Sequence, residues 1–248
     1  MEFNFEALLA PENLIALATL TVLEIVLGVD NILFISIISE KLPKAEQPKA
    51  RVVGLALALI FRLALLFMIS WLVHFTEPIF TLFDIAFSGR DLILLGGGVF
   101  LLVKTISEIH QKVEGDKEKH GPKTKPRTFM SVVGMIILID MVFSFDSILT
   151  AVGMVSELSI MVVAVVLAMI VMLVFVNKIS RIINNHPGIQ MLALSFLILI
   201  SFVLILDGLH KHIERGYVYF ALFFSLIVEV LNIRSNKNRK KPNTNELI

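Results

Sequence analysis

The sequence predicts an all-α fold, a polytopic membrane protein of seven transmembrane helices arranged as a 3+3 inverted-topology repeat plus a seventh helix. Three observations carry this. Of the 248 residues, 56% are hydrophobic and 17% charged, against about 25% charge in an ordinary soluble domain, so the polar surface of a soluble fold is missing. The apolar residues gather in runs of roughly 20, long enough to cross a bilayer as helix and without the alternation of barrel strands. Finally, "TVLEIVLGVDNILF" at 21–34 falls on "ILIDMVFSFDSILT" at 137–150 when the sequence slides by 116 positions.

The spans read as 12–38, 51–75, 91–109, 129–155, 159–177, 189–208 and 217–233. The first follows an acidic stretch, "MEFNFEALLAPE", unlike the basic start of a signal peptide, and is expected to be retained. The second follows the breaker-rich "EKLPKAEQPKAR". The third carries "GGG" at 96–98, which permits close helix packing. A polar linker of about 110–128 precedes the fourth, with five lysines and two prolines between 111 and 127. "NNHPG" separates the fifth from the sixth. The seventh ends in a basic tail, 234–248, suited to anionic lipid headgroups and showing no nucleic-acid module. One membrane domain results, with repeat one at about 12–109, repeat two at about 129–208 and the extra helix at 217–233. Seventeen Lys and Arg fall at one end of these spans and three at the other. The positive-inside rule then puts the N-terminus outside and the C-terminus in the cytoplasm.

Within the repeat, Glu24 meets Asp140, Gly28 meets Ser144, Asp30 meets Asp146 and Asn31 meets Ser147. Each copy opens a group of three spans, so the second runs the opposite way, an arrangement that places binding sites near the midplane. Antiparallel motif helices would set Glu24 level with Asp146 and Asp30 level with Asp140, in two acidic layers about 9 Å apart. On a regular helix Asn31 lies under Glu24, while Asp30 points roughly 100° away. Either the acids have different roles, or the helices break near Gly28 and Ser144. A break at 27–30 and 143–146 is the expectation here.

An acid at a span centre costs about 2.5–3.5 kcal/mol, so four cost on the order of 10 kcal/mol before compensation. A cation or proton path accounts for that expense better than decoration does. The alternative is structural pairing with Arg62, whose single charge falls short of four carboxylates. The motif groups are all oxygen ligands, which suit magnesium, calcium or manganese; the six histidines lie at span ends or in loops, and cysteine is absent. Arg62 would pair with a motif acid, and would also keep the empty site neutral. Asp91 reads as a helix N-terminal residue, and Lys104 as a partner of Glu108 four residues on. No resident cofactor is expected. The partners are a divalent cation and the lipid bilayer, with a homo-oligomer left open. Three other classes stand beside a transporter of metal: an intramembrane aspartyl protease, which neither "LGVDN" nor "FSFDS" equips with a Gly-x-Gly-Asp setting; a non-transporting factor for metal supply or assembly of exported proteins; and an exporter of an organic solute, which would want an aromatic-lined cavity where Trp71, Tyr217 and Tyr219 look interfacial. An enzyme is not expected.

"TLTVLEIVLGVDNILF", "GLALALIFRLALL", "RDLILLGGGVFLLVKTISEIH", "MIILIDMVFSFDSILTAVG" and "HPGIQMLALSFLILISFVLILDG" resemble the TerC family of bacterial membrane proteins, named for tellurium resistance and grouped with the lysine-exporter superfamily. The resemblance covers nearly the whole chain and is to the short form, without appended regulatory domains. It implies a multi-pass plasma (inner) membrane protein that exports Mn²⁺, with Glu24, Asp30, Asn31, Asp140, Asp146 and Ser147 as the metal path.

Overall fold

The computed structural model describes residues 11–68, 74–82, 85–114, 128–155 and 157–239. Among the described residues, seven helices are long and apolar enough to cross a membrane. They are α1 (Pro11–Ser39), α2 (Gln47–Phe67), α3 (Gly89–Glu114), α4 (Phe129–Met154), α5 (Leu158–Asn185), α6 (Pro187–Gly208) and α7 (Arg215–Arg239). Most of the linker and of the basic tail, together with Trp71, lies outside the described residues.

Local chemistry sets the ends. Prolines stand at the first turns of α2 and α6, where the missing N–H costs no helical hydrogen bond. Thr128 caps α4 by accepting from Ser131 N at 3.4 Å, satisfying one orphan donor. His186 ends α5, and Pro187 obliges the chain to start again as α6. Beyond α6 the chain turns with Lys211 N donating to Leu206 O at 2.8 Å and His210 at φ 60°. This is a left-handed helix end occupied by histidine where glycine is usual.

Two expectations need correction. Span two was drawn to 75, but α2 ends at Phe67, where Met68 N turns back to Ala64 O and Leu66 O. The apolar composition outlasts the helix, so the run overstates its length. Between α2 and α3 lies an antiparallel hairpin, β1 (Pro78–Leu82) with β2 (Ile85–Ser88), in register Phe80 to Phe87. Those two rings stack at 5.5 Å. The mainly helical fold therefore carries a small β element at one end of the bundle. That end, which also holds the start of α1, is called the Arg90 end below; the other is the Lys41 end.

The packing is orderly. α1 lies chiefly on α5, α2 on α4, and α3 on α6, while α7 leans on α6. Exchanging the first three helices for the second three maps this scheme onto itself. Without a hydrophobic drive inside lipid, close approach and polar contacts hold such helices together. Gly98 lets α3 approach α6 closely: a Cβ there would stand 3.0 Å from Ser201 O and 3.1 Å from Ile205 N. Gly96 faces open space instead, so one glycine of the three makes the closest backbone approach. Large apolar side chains such as Ile60, Val103, Val174 and Phe223 stay exposed, the outer surface that a bilayer covers.

Candidate functional site

Helices α1 and α4 run unbroken through both motifs. The expected breaks at 27–30 and 143–146 do not occur, and the regular helix decides the matter. Glu24 and Asn31, seven apart, share a face, as do Asp140, Ser144 and Ser147, and these faces meet. Asn31 Nδ2 donates to Asp140 Oδ1 at 2.9 Å. Ser144 Oγ donates to Asp140 Oδ2 at 2.9 Å and accepts from Arg62 Nε at 2.9 Å. Gly28 is no hinge; it seats Met172 of α5, whose thioether occupies the space a Cβ would take.

Arg62 is the centre of this cluster. Its Nη1 lies 2.5 Å from Glu24 Oε2 and its Nη2 3.3 Å from Asp140 Oδ1. All three side chains are 2–3% exposed. A planar guanidinium can fork between two carboxylates and still reach a hydroxyl, which an ammonium cannot do in one geometry. The bond from Asn31 sets the 30–31 level of α1 beside Asp140, and Glu24 is joined to Asp140 through Arg62, which enters between the motif helices from α2.

Asp30 and Asp146 turn elsewhere, as their helical phase requires. Tyr219 OH of α7 reaches Asp30 Oδ2 at 3.5 Å. Arg90 Nη2 holds Asp146 Oδ1 at 2.6 Å. Beside them is a cavity of about 20 Å³ lined by Leu27, Asp30, Asn31, Arg62, Phe143 and Ser147, room for one water-sized guest. Asn31 Oδ1 is buried and has no hydrogen-bond partner among the described residues. Its amide is oriented by the bond to Asp140, which leaves this acceptor available at the small cavity. At the Arg90 end, a cavity of about 800 Å³ opens on Asp146, Arg90 and Tyr219.

The remaining candidates fall outside the cluster. Lys104 pairs with Glu108 at 3.5 Å, and Lys41 joins the same carboxylate at 2.5 Å. Asp91 is buried at the start of α3, accepting from Ser88 N at 2.8 Å and Ser88 Oγ at 2.6 Å, as its N-terminal position leads one to expect. Two residues were missed. Arg90 had been counted only as a loop charge, and Tyr219 as an interfacial aromatic. The sequence signal for Arg90 was its place next to Asp91 at a span end; for Tyr219 there was none, because the contact depends on where α7 docks.

A bundle of seven spanning helices with a buried acidic cluster at the crossing of two antiparallel motifs defines an integral membrane protein with an intramembrane polar site. The model of the integral membrane protein TerC family matches residues 9–244, and the chain belongs to that family. It is 49% identical over 227 residues to the UPF0053 inner membrane protein YgdQ of Escherichia coli K12, covering 92% of this chain and 95% of that one. It is 43% identical over 237 residues to a UPF0053 protein of Haemophilus influenzae, covering 95% of this chain and 100% of that one. The inner membrane protein YoaE of Escherichia coli K12 is 48% identical over 233 residues, but the match spans only 45% of its length. No solved structure matches the chain.

Proposed function

We propose that the chain is a secondary transporter of the bacterial inner membrane that exports a hard divalent cation, Mn²⁺ foremost, through the paired acidic motifs. The observation that carries this reading is the oxygen donor set at the small buried cavity. Asp30, Asn31 and Ser147 line it, and the other motif acids, Glu24, Asp140 and Asp146, are buried on the same two helices. The donor set is oxygen throughout, and Asn31 Oδ1 is an oriented acceptor beside the small cavity; carboxylate, amide and hydroxyl oxygens suit manganese, magnesium and calcium over zinc or copper. Manganese stands first among these through the family resemblance.

In this reading the acids divide the work. Arg62 keeps Glu24 and Asp140 compensated, so that the site remains folded when empty. Asp30, Asn31 and Ser147 receive the cation, and Asp146 is the last acid it meets before the Arg90 end. Protons taken up by the same carboxylates supply the exchange. The Arg90 end faces outward and the Lys41 end faces the cytoplasm, in keeping with the distribution of basic residues.

The test is flux into proteoliposomes with Mn²⁺, Mg²⁺, Ca²⁺ and a pH gradient varied in turn. Wild type carries Mn²⁺, and Asp30→Asn abolishes the flux while eluting as a folded species. Absence of flux for all three cations in wild type refutes the reading.

A further inference from the structure

We propose that Arg90 is a tethered cation that latches the mouth of the acidic path, exchanging between Asp146, where it sits in this structure, and a second station on Asp91; the proposal rests on the cation-transport reading. Arg90 occupies the first turn of α3, next to the hairpin, and its backbone N is pinned to Phe75 O at 3.0 Å. Its side chain reaches across to α4, with Nη2 at 2.6 Å from Asp146 Oδ1. Asp146 is the motif acid that lines the 800 Å³ cavity. A cation leaving at that end therefore meets Asp146 last, and finds it occupied.

Arg90 also lines a second cavity of about 690 Å³, beneath the hairpin, that shares Asp207 and His212 with the first. The guanidinium thus stands between two open spaces. At 30% exposure its pair with Asp146 is partly hydrated, and a hydrated pair is far weaker than a buried one. Arg62, at 3% exposure and held by three side chains, is fixed by comparison. The two arginines are chemically alike but differ in how readily a competing cation displaces them.

A displaced guanidinium needs somewhere to go, and Asp91 is built for it. Its Oδ2 takes Ser88 N at 2.8 Å, Ser88 Oγ at 2.6 Å and His210 Nε2 at 3.0 Å. Its Oδ1 faces Arg90 Nη1 at 3.9 Å. Three donors on one oxygen fix the carboxylate and leave the other toward the arginine. One of those donors is delivered at a conformational cost, since His210 takes the left-handed backbone that ordinary side chains avoid. Moving from Asp146 to Asp91, Arg90 exchanges one carboxylate for another and is never left without an anion.

The test uses the absence of cysteine from the chain. Ser147→Cys places one thiol a residue beyond Asp146 at a buried position, and its rate of reaction with a membrane-impermeant cationic methanethiosulfonate reads how often the mouth is open. Adding Arg90→Ala should raise that rate about tenfold or more, a change of about 1.4 kcal/mol. Arg90→Lys should keep it near the parent, and Asp91→Asn should lower it by removing the second station. Equal rates with and without Arg90→Ala, in protein that elutes as a single species, overturn the latch. The readout is independent of transport. Flux is read on the chain with Ser147 intact: wild type without flux, while the thiol rate of the Ser147→Cys chain still rises with Arg90→Ala, refutes the transport reading alone. A chain with flux whose thiol rate ignores Arg90 refutes the latch alone.

Discussion

Replacing Arg62 by methionine preserves much of the side-chain volume and deletes the charge that Glu24 and Asp140 share. Both acids are 2% exposed, so neither can recover solvation without opening the bundle. Removing one partner of a buried pair costs about 3–5 kcal/mol; here one guanidinium serves two carboxylates and the Ser144 hydroxyl, and the upper half of that range applies. For a chain of this length each kcal/mol shifts the midpoint by about 2–4 °C, giving a drop on the order of 10 °C or more. The assay is thermal unfolding in detergent, followed by size-exclusion recovery. Arg62→Lys should fall between, since an ammonium cannot span both carboxylates and Ser144 at once. The combined variant Arg62→Met, Glu24→Gln, Asp140→Asn should regain most of the loss, because no charge is then buried alone. If Arg62→Met melts within about 2 °C of wild type, less than the shift of about 1 kcal/mol, the arginine is not what compensates these acids.

Other perturbations have equally definite outcomes. Gly98→Ala sets a methyl against backbone atoms of α6 that cannot step aside, and should destabilise by about 1–3 kcal/mol. Gly28→Ala meets only the flexible end of Met172 and should cost less in the same melt. Tyr219→Phe removes a long hydrogen bond to Asp30; it should leave the midpoint within the shift of about 1 kcal/mol while changing the cation concentration for half-maximal flux. Thr128→Ala loses the cap of α4 and should cost about 1 kcal/mol, visible as a lower midpoint at unchanged flux.

The seven helices were legible because length and apolarity suffice to mark a span, and the pairing of Glu24 with Asp140 and Asp30 with Asp146 was legible because charges inside apolar runs are conspicuous. Positions of side chains were harder. Glu24 and Asp30 look equivalent as letters six apart, yet helical phase sends one to Arg62 and the other to Tyr219. The expected break at Gly28 assumed that both acids had to face one point; the unbroken helix costs less than turning Asp30 inward. The hairpin at 78–88 escaped notice because "PIFTLFDIAFS" is apolar enough to blur into its neighbouring spans. Arg90 escaped because a charge at a span end ordinarily reports only topology.

Met172 sits on Gly28, and Arg62 sits on Ser144, the residue that the 116-position slide sets against Gly28. The methionine is thus the counterpart of the arginine, one on each half of the repeat. In a protein built from two identical inverted halves, the conformer open at one end and the conformer open at the other would be superimposable, and neither would be preferred. Any resting preference must come from positions where the halves differ. The exchange of arginine over serine for methionine over glycine is the largest such difference in the buried centre, and Tyr219 on Asp30 against Arg90 on Asp146 is a second. In the transport reading proposed above, directionality is therefore carried by the chain's departures from its own symmetry.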